Sequence, residues 1–335
     1  MTAEATSDTS IDTSSIIDMR VDLAGMRLPN PLMTASGCAA NGKELHRFFD
    51  IAGLGAFVTK TVLADPRSGR GTPRMAETPS GMLNSIGLQG PGIVEFARTD
   101  LVWLKSVGAR VIASIAGNTA GEFARVAAVL RESPAFDAVV GVEVNISCPN
   151  VANRGLVFAC EPLASAKVIA LVREELPREI PIFAKLSPDV TDIVEIARAC
   201  VDVGADGLTM INTLLGMVID TGLLRPQVAG VTGGLSGPGI RPVAVRAIWQ
   251  VRAAMIEGRI PTVPIIGVGG VRSGDDALQL VAAGASAIQV GTAIFNDPQA
   301  PVRVNRELAA ALQDKGFARF SDAVGVAPTS IDARR

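Results

Sequence analysis

The stretch Val142–Asn150, VEVNISCPN, brings a thiol, a hydroxyl and two amides close together. Val142, Val144 and Ile146 alternate with Glu143, Asn145 and Ser147, the period of a strand with two different faces. Pro149 has no N–H to give to a ladder, so the chain leaves the sheet there. Cys148 is thereby held at a strand end, between Asn145 and Asn150, where barrel and open α/β proteins place their chemistry. A thiol, with an ordinary pKa of ~8.5, serves as a base or nucleophile near neutrality when its surroundings favour the thiolate. Cys38, Cys160 and Cys200 lack that setting and read as small buried hydrophobes. His46 is the single histidine and lies beside Arg47 in an early helical stretch, which argues against a Cys/His pair. Ser147 stands in no G-x-S-x-G turn, and one histidine without a cysteine cluster makes no metal ligand set.

Two lysines end apolar strands: Lys60 closes GAFVTK and Lys185 closes PIFAK. A lysine so placed needs an anion or an acceptor. For one of them Glu143 is a plausible partner; the two together favour an anionic ligand over the strand ends. Glycines supply a second feature, GVGG at Gly267–Gly270 ahead of a helix and Gly291-Thr292 after the last strand. Backbone N–H groups in such turns form a phosphate site common in barrels. The phosphate could belong to a flavin mononucleotide or to a sugar-phosphate substrate.

The elements that must position these groups are legible as a repeat. Strands are expected at Pro31–Ser36, Ala56–Thr61, Arg110–Ile115, Val139–Ser147, Pro181–Leu186, Gly207–Ile211, Pro264–Val268 and Ala287–Gly291. Helical patterns fall at Gly42–Ala52, Ile93–Val107, Ala120–Arg131, Pro162–Glu175, Val190–Val203, Arg241–Ile256, Gly274–Ala283 and Ala300–Lys315. That alternation is the count of an α/β (β/α)8 TIM barrel. A doubly wound sheet is the main alternative, disfavoured because no glycine-rich dinucleotide fingerprint follows the first strand. Val21–Leu28 reads as an N-terminal hairpin turning at Gly25. Val62–Gly92, after strand two, and Thr213–Gly239, after strand six, are too long for plain turns and fall on the side where barrel loops carry function.

Composition agrees. Hydrophobic residues make up 48% of the 335, aromatics only 4%, and tyrosine is absent, so the core must be aliphatic. Lys plus Arg number 31 against 33 acidic residues, which argues against nucleic acid or a membrane as the main partner. No apolar run reaches bilayer length, and residues 1–18 are polar, unlike a signal peptide; they read as a disordered tail before one domain, 19–335. Four cysteines without metal spacing fit a cytoplasmic protein with free thiols.

With these residues in view, the chain resembles the class 1 dihydroorotate dehydrogenases, and within them the B-type catalytic subunit, over roughly Val21 to Gly316. The motifs are TASGC (Thr34–Cys38), KTV (Lys60–Val62), TPRMAETPSGMLNSIGLQGPG (Thr72–Gly92), NISCPNV, FAKLSPDVTDI, GADGLTMINTLLGM, GGLSGPGIRPVAVR, IIGVGGV and QVGTA. The resemblance implies a single FMN-binding barrel that oxidises (S)-dihydroorotate to orotate in pyrimidine (UMP) synthesis. Cys148 would be the base that takes the C5 proton while a hydride leaves C6 for the flavin. Carried over by motif, Lys60, Asn84, Ser85, Ile86, Gly87, Leu88, Asn145, Asn212 and Thr213 contact substrate. Ser36, Lys60, Thr61, Asn145, Lys185, Ile211, Gly237, Gly269, Gly270, Gly291 and Thr292 contact the flavin, with Lys185 near its N1–O2 edge. Ser114 stands where related enzymes often carry asparagine, and its flavin contact is a weaker expectation.

The loop NVANRGLVFAC resembles the B-type, whose electrons pass through a partner subunit with FAD and a 2Fe–2S cluster to NAD. The A-type, which reduces fumarate without a partner, carries a Pro-Gly-Lys-Pro-Gln run there. No iron–sulfur cysteines exist in this chain, so such a cluster would lie in the partner. The resemblance also implies a homodimer, or a heterotetramer with the partner. Dihydropyrimidine dehydrogenase shares some stretches, but its chain is far longer and MINTLLGM matches the orotate enzyme better. A flavin-free barrel lyase or isomerase would explain the glycines and lysines but not the NSIGL and NISCPN amides. A non-catalytic flavin-binding scaffold would hold the cofactor without turnover.

Overall fold

Aliphatic runs such as VIASI and IFAK are buried along both faces, which is why they do not alternate with polar residues. In the computed structural model, which describes residues 17–147 and 161–328, these runs form β1 (Leu32–Thr34), β2 (Phe57–Val58), β3 (Val111–Ile115), β4 (Val139–Val144), β5 (Ile182–Lys185), β6 (Gly207–Met210), β7 (Ile265–Val268) and β8 (Ala287–Val290). Neighbours pair in parallel from β2 round to β8 and on to β1, as in Ser114↔Glu143 and Gln289↔Met33. A parallel bridge from Met33 to Ala56 closes β1 onto β2. The fold is therefore the (β/α)8 barrel, and the doubly wound alternative is excluded.

The helices start where the sequence provides caps. Thr119 accepts from Glu122 N ahead of Ala120–Arg131, Asp192 from Val194 N and Glu195 N ahead of Ile193–Asp202, and Ser273 from Asp276 N ahead of Gly274–Ala283. Pro162–Glu175 and Arg241–Ile256 run over the expected spans, and the last long helix is Ala300–Asp314. The expected helix Ile93–Val107 is two, Ile93–Arg98 and Asp100–Ser106, separated at Thr99.

The expected helix Gly42–Ala52 is replaced by two short 3-10 turns, Leu45–Arg47 and Ile51–Gly53. Tertiary partners draw its backbone away from a helical pattern. Arg110 donates to the carbonyls of Ala52, Leu54 and Gly55, and Asn30 Oδ1 takes the N–H of Gly55. A Cβ on Gly55 would lie 2.2 Å from Asn30 O, so only glycine permits that approach.

The hairpin Val21–Leu23/Met26–Leu28 closes the N-terminal end of the barrel. Leu23, Met26 and Leu28 pack against Met33, Val58, Ile112, Phe183 and Ile266 inside it. Each such buried side chain contributes about 1.5–3 kcal/mol. Ile17 is also buried, and Asp18 bridges to Arg319, so the anchored chain begins inside the stretch read as tail; residues 1–16 of that stretch lie outside the described residues. No helix among the described residues is long and apolar enough to cross a membrane.

The two long connections do more than loop. Met75–Thr78 and Gly81–Asn84 from the first join Leu214–Gly216 and Gly233–Ser236 from the second in one antiparallel sheet. Glycines permit the contact: a Cβ on Gly81 would sit 1.9 Å from Ser236 O, and one on Gly234 would sit 2.2 Å from Thr213 Oγ1.

Candidate active site

Between this sheet and the C-terminal ends of the barrel strands lies a cavity of about 520 Å3. Its floor is built on Glu143, which β4 points into the barrel and which is wholly buried. Lys185 at the end of β5 donates to Glu143 Oε1 at 3.1 Å, and Ser114 Oγ on β3 donates to the same oxygen at 3.2 Å. Gln289 Nε2 reaches from β8 to Glu143 Oε2 at 2.8 Å. The ion pair anticipated for one lysine thus falls to Lys185, which still lines the cavity.

One wall carries hydroxyls and amides. Ser36 Oγ lies 2.9 Å from Thr61 Oγ1, which lies 2.9 Å from Ser114 Oγ and accepts from Asn145 Nδ2 at 3.1 Å. Asn212 Nδ2 donates to Ser147 Oγ at 2.7 Å and to Asn145 Oδ1 at 3.2 Å. Towards the covering sheet, Asn84 Nδ2 donates to Gly234 O at 3.2 Å, which ties the strand-2 excursion to the strand-6 excursion. The opposite end is formed by Gly237, Gly269, Gly270, Gly291 and Thr292, with Thr292 Oγ1 donating to Ser236 Oγ at 2.8 Å. Arg241 backs this cradle, donating to Gly270 O at 3.3 Å and pairing with Asp276 at 2.5 Å.

Among the described residues, every residue expected to touch substrate or flavin lines this one cavity except Ser85 and Ser114. Ser85 is buried behind the lining, where its hydroxyl accepts from Arg70 at 3.2 Å. Asn84 and Ile86 on either side of it line the cavity, while Ser85 turns away toward Arg70. Ser114 sits beneath the wall, hydrogen-bonded between Thr61 and Glu143. Cys148, the expected base, lies outside the described residues, as do Asn150 and Cys160; the described chain ends there at Ser147, beside Asn212.

The structure adds residues that the sequence did not single out. Cys38 lines the cavity rather than serving as a plain buried hydrophobe. Burial pushes its thiol up to about 11, against the opposing pull of Lys185 and Lys60. Gln289 belongs to the cavity too; its signal was a lone amide inside the apolar strand AIQV. Arg272 and Phe295 flank the glycine end.

A closed parallel barrel with one cavity at its strand ends, floored by a buried ammonium–carboxylate pair and lined by amides and glycine turns, is the architecture of a barrel enzyme. A family model described as dihydroorotate dehydrogenase matches residues 18–312, and the chain belongs to that family of oxidoreductases. Among its relatives, a protein of Geotalea uraniireducens (strain Rf4) is 46% identical over 308 residues, covering 92% of this chain and 97% of its own. One of Pelobacter propionicus (strain DSM 2379 / NBRC 103807 / OttBd1) is 47% identical over 308 residues, covering 92% and 98%. One of Geobacillus kaustophilus (strain HTA426) is 45% identical over 307 residues, covering 92% and 95%. All three bear the name dihydroorotate dehydrogenase B (NAD(+)), catalytic subunit, which bears out the resemblance to the B-type.

Proposed function

We propose that the chain is the catalytic subunit of an FMN-dependent enzyme that oxidises (S)-dihydroorotate to orotate in pyrimidine synthesis. The observation that carries this is the joining of two residue sets, amides and Lys60 at one end and the glycine cradle with Lys185 at the other, in one cavity. Its volume suits a flat cofactor with a small ring stacked on it. The fit to FMN rests on chemistry. Gly269, Gly270, Gly291 and Thr292 would take the phosphate, and Lys185 would face the ring edge that becomes anionic on reduction. Bound FMN would supply the acceptor for the hydride that leaves C6.

The protein's own groups do the rest. Asn84, Asn145 and Asn212 are amides, the groups that pair with a pyrimidine dione, while Lys60 suits the carboxylate or the flavin edge. Asn145 Oδ1 already accepts twice and Asn212 Nδ2 already donates twice, so Asn145 would serve the substrate through Nδ2 and Asn212 through Oδ1. Asn145 and Asn212 are hydrogen-bonded to each other and to Ser147, so their orientation is set before substrate arrives. Cys148, next in the chain, is the base that takes the C5 proton. The remaining elements of the reading are a partner subunit with FAD and a 2Fe–2S cluster, NAD as the final acceptor, a homodimeric core and a cytoplasmic location. The relatives' shared name, which specifies NAD(+) and a catalytic subunit, supports a partner subunit and NAD.

The test is an anaerobic absorbance spectrum of the purified protein. A flavin band near ~450 nm that bleaches with dihydroorotate supports cofactor and substrate together. Cys148→Ser should keep the band and lose most of the bleaching rate near neutral pH. A yellow protein that dihydroorotate does not bleach would refute the substrate, and one that cannot be loaded with FMN would refute the cofactor.

A further inference from the structure

Glu143 is wholly buried at the centre of the barrel, where a carboxylate is costly unless its oxygens are met by donors. An ionised carboxylate only accepts, so every neighbour must turn a proton toward it. Lys185 and Ser114 do so at one oxygen and Gln289 at the other. The consequence spreads outward. Ser114 spends its single O–H on Glu143, so in the Ser114–Thr61 contact Thr61 must donate, and in the Thr61–Ser36 contact Ser36 must donate. Gln289 cannot be flipped, because that would set its carbonyl against the carboxylate. Among the described residues its Oε1 is buried and has no partner, in a residue that lines the cavity.

Resting on the FMN reading above, we propose that Glu143 is a positioning residue for the cofactor. It holds Lys185 as a counterbalanced ammonium at the cavity floor and turns the Gln289 carbonyl into an acceptor for the ligand. Gln289 lies on β8 just ahead of Gly291, so the donors within its reach on a phosphate-anchored flavin are the ribityl hydroxyls. The carboxylate offsets the Lys185 charge, which limits how far the floor favours the anionic reduced ring. Glu143→Gln removes that offset and leaves the ammonium to act alone.

The experiment uses FMN-loaded wild type, Glu143→Gln and Gln289→Met. The midpoint potential is measured against a reference dye, and the affinities of the apoproteins for FMN and riboflavin by titration. Glu143→Gln should raise the preference for reduced over oxidised flavin about tenfold, an upward shift of ~30 mV for a two-electron couple. Gln289→Met should weaken FMN and riboflavin alike, each about tenfold, because the lost acceptor faces the polyol and not the phosphate. A merely structural Glu143 would lower the melting temperature and leave the potential where it was; that result, or a fall in potential, overturns the proposal. If Glu143→Gln does not fold, Gln289→Met decides, and unchanged affinities overturn it. Wild type that takes up neither FMN nor riboflavin would instead sink the FMN reading.

Discussion

Gly270→Ala separates the cost of crowding the cradle from the cost of backbone strain. Gly270 has φ +75°, and a Cβ there would lie 2.7 Å from Arg241 Cβ and 3.0 Å from both Arg241 N and Gly237 O. The left-handed conformation costs a side chain about 1–2 kcal/mol. Two of the three contacts are backbone, which cannot swing away, and overpacking of that kind adds about 1–3 kcal/mol. The sum is roughly 2–5 kcal/mol, and at about 1.5 °C per kcal/mol for a chain of this size the melting temperature should fall by about 3–7 °C. Relief requires Gly269–Val271 to move against Arg241, so FMN affinity should fall at least about tenfold. Gly258 is the control, with φ +72° and, among the described residues, no atom within 4 Å of an added Cβ. Gly258→Ala should cost only the strain, about 1–2 kcal/mol, and leave FMN affinity unchanged. Thermal melts and FMN titrations of both variants decide it. If Gly270→Ala melts no lower than Gly258→Ala and binds FMN like wild type, the cradle does not hold the phosphate.

Lys185→Met leaves Glu143 buried without its cation, a loss of about 3–5 kcal/mol that thermal melts should register as a marked drop. Adding Glu143→Gln to Lys185→Met should recover part of that loss, and no recovery would count against the pair as the cause. Asp18 offers a pH test. Its hydrogen bonds with Arg20 hold the carboxyl down at about 2, below the ordinary 3.8, so its contribution is complete above the ordinary value and lost as pH falls toward 2. Asp18→Asn should therefore lower the melting temperature slightly at pH 6 and make no difference near pH 2; a larger effect in acid would refute the assignment. Burial holds the thiols of Cys38 and Cys200 up to about 11 and about 12. Iodoacetamide at pH 8 should leave both unmodified in the folded protein, since only ~0.1% or less of each is thiolate. Rapid alkylation of Cys38, read by peptide mass mapping, would contradict that.

Local chemistry made much of this protein legible. Aliphatic runs bounded by glycine and proline located the strands, and helical periodicity placed Ala120–Arg131, Pro162–Glu175, Arg241–Ile256 and Gly274–Ala283 at their observed bounds. Strand alternation in VEVNIS was enough to separate Glu143 and Asn145 from their apolar neighbours, although it does not say which of the two charged strand-end lysines Glu143 meets. The lining of the cavity was legible only through the family resemblance, carried over motif by motif.

Contacts between distant segments were decided only by the tertiary structure. The helix expected over Gly42–Ala52 was lost to Asn30 and Arg110, whose competing hydrogen bonds come from outside the segment. The sheet over the cavity pairs Asn84 with Gly234, far apart in the chain, through strands too short and mixed to show a period of their own. That Ser114 donates to Glu143 was not legible, and Gln289 was passed over although it reaches across the barrel to the same carboxylate. Residue type and spacing pointed to amides, lysines and glycines gathering at the strand ends. Which of them would meet each other, and with which polarity, depended on barrel closure, because a hydrogen bond needs its partners in place and only the closed sheet brings β3, β4, β5 and β8 to one point.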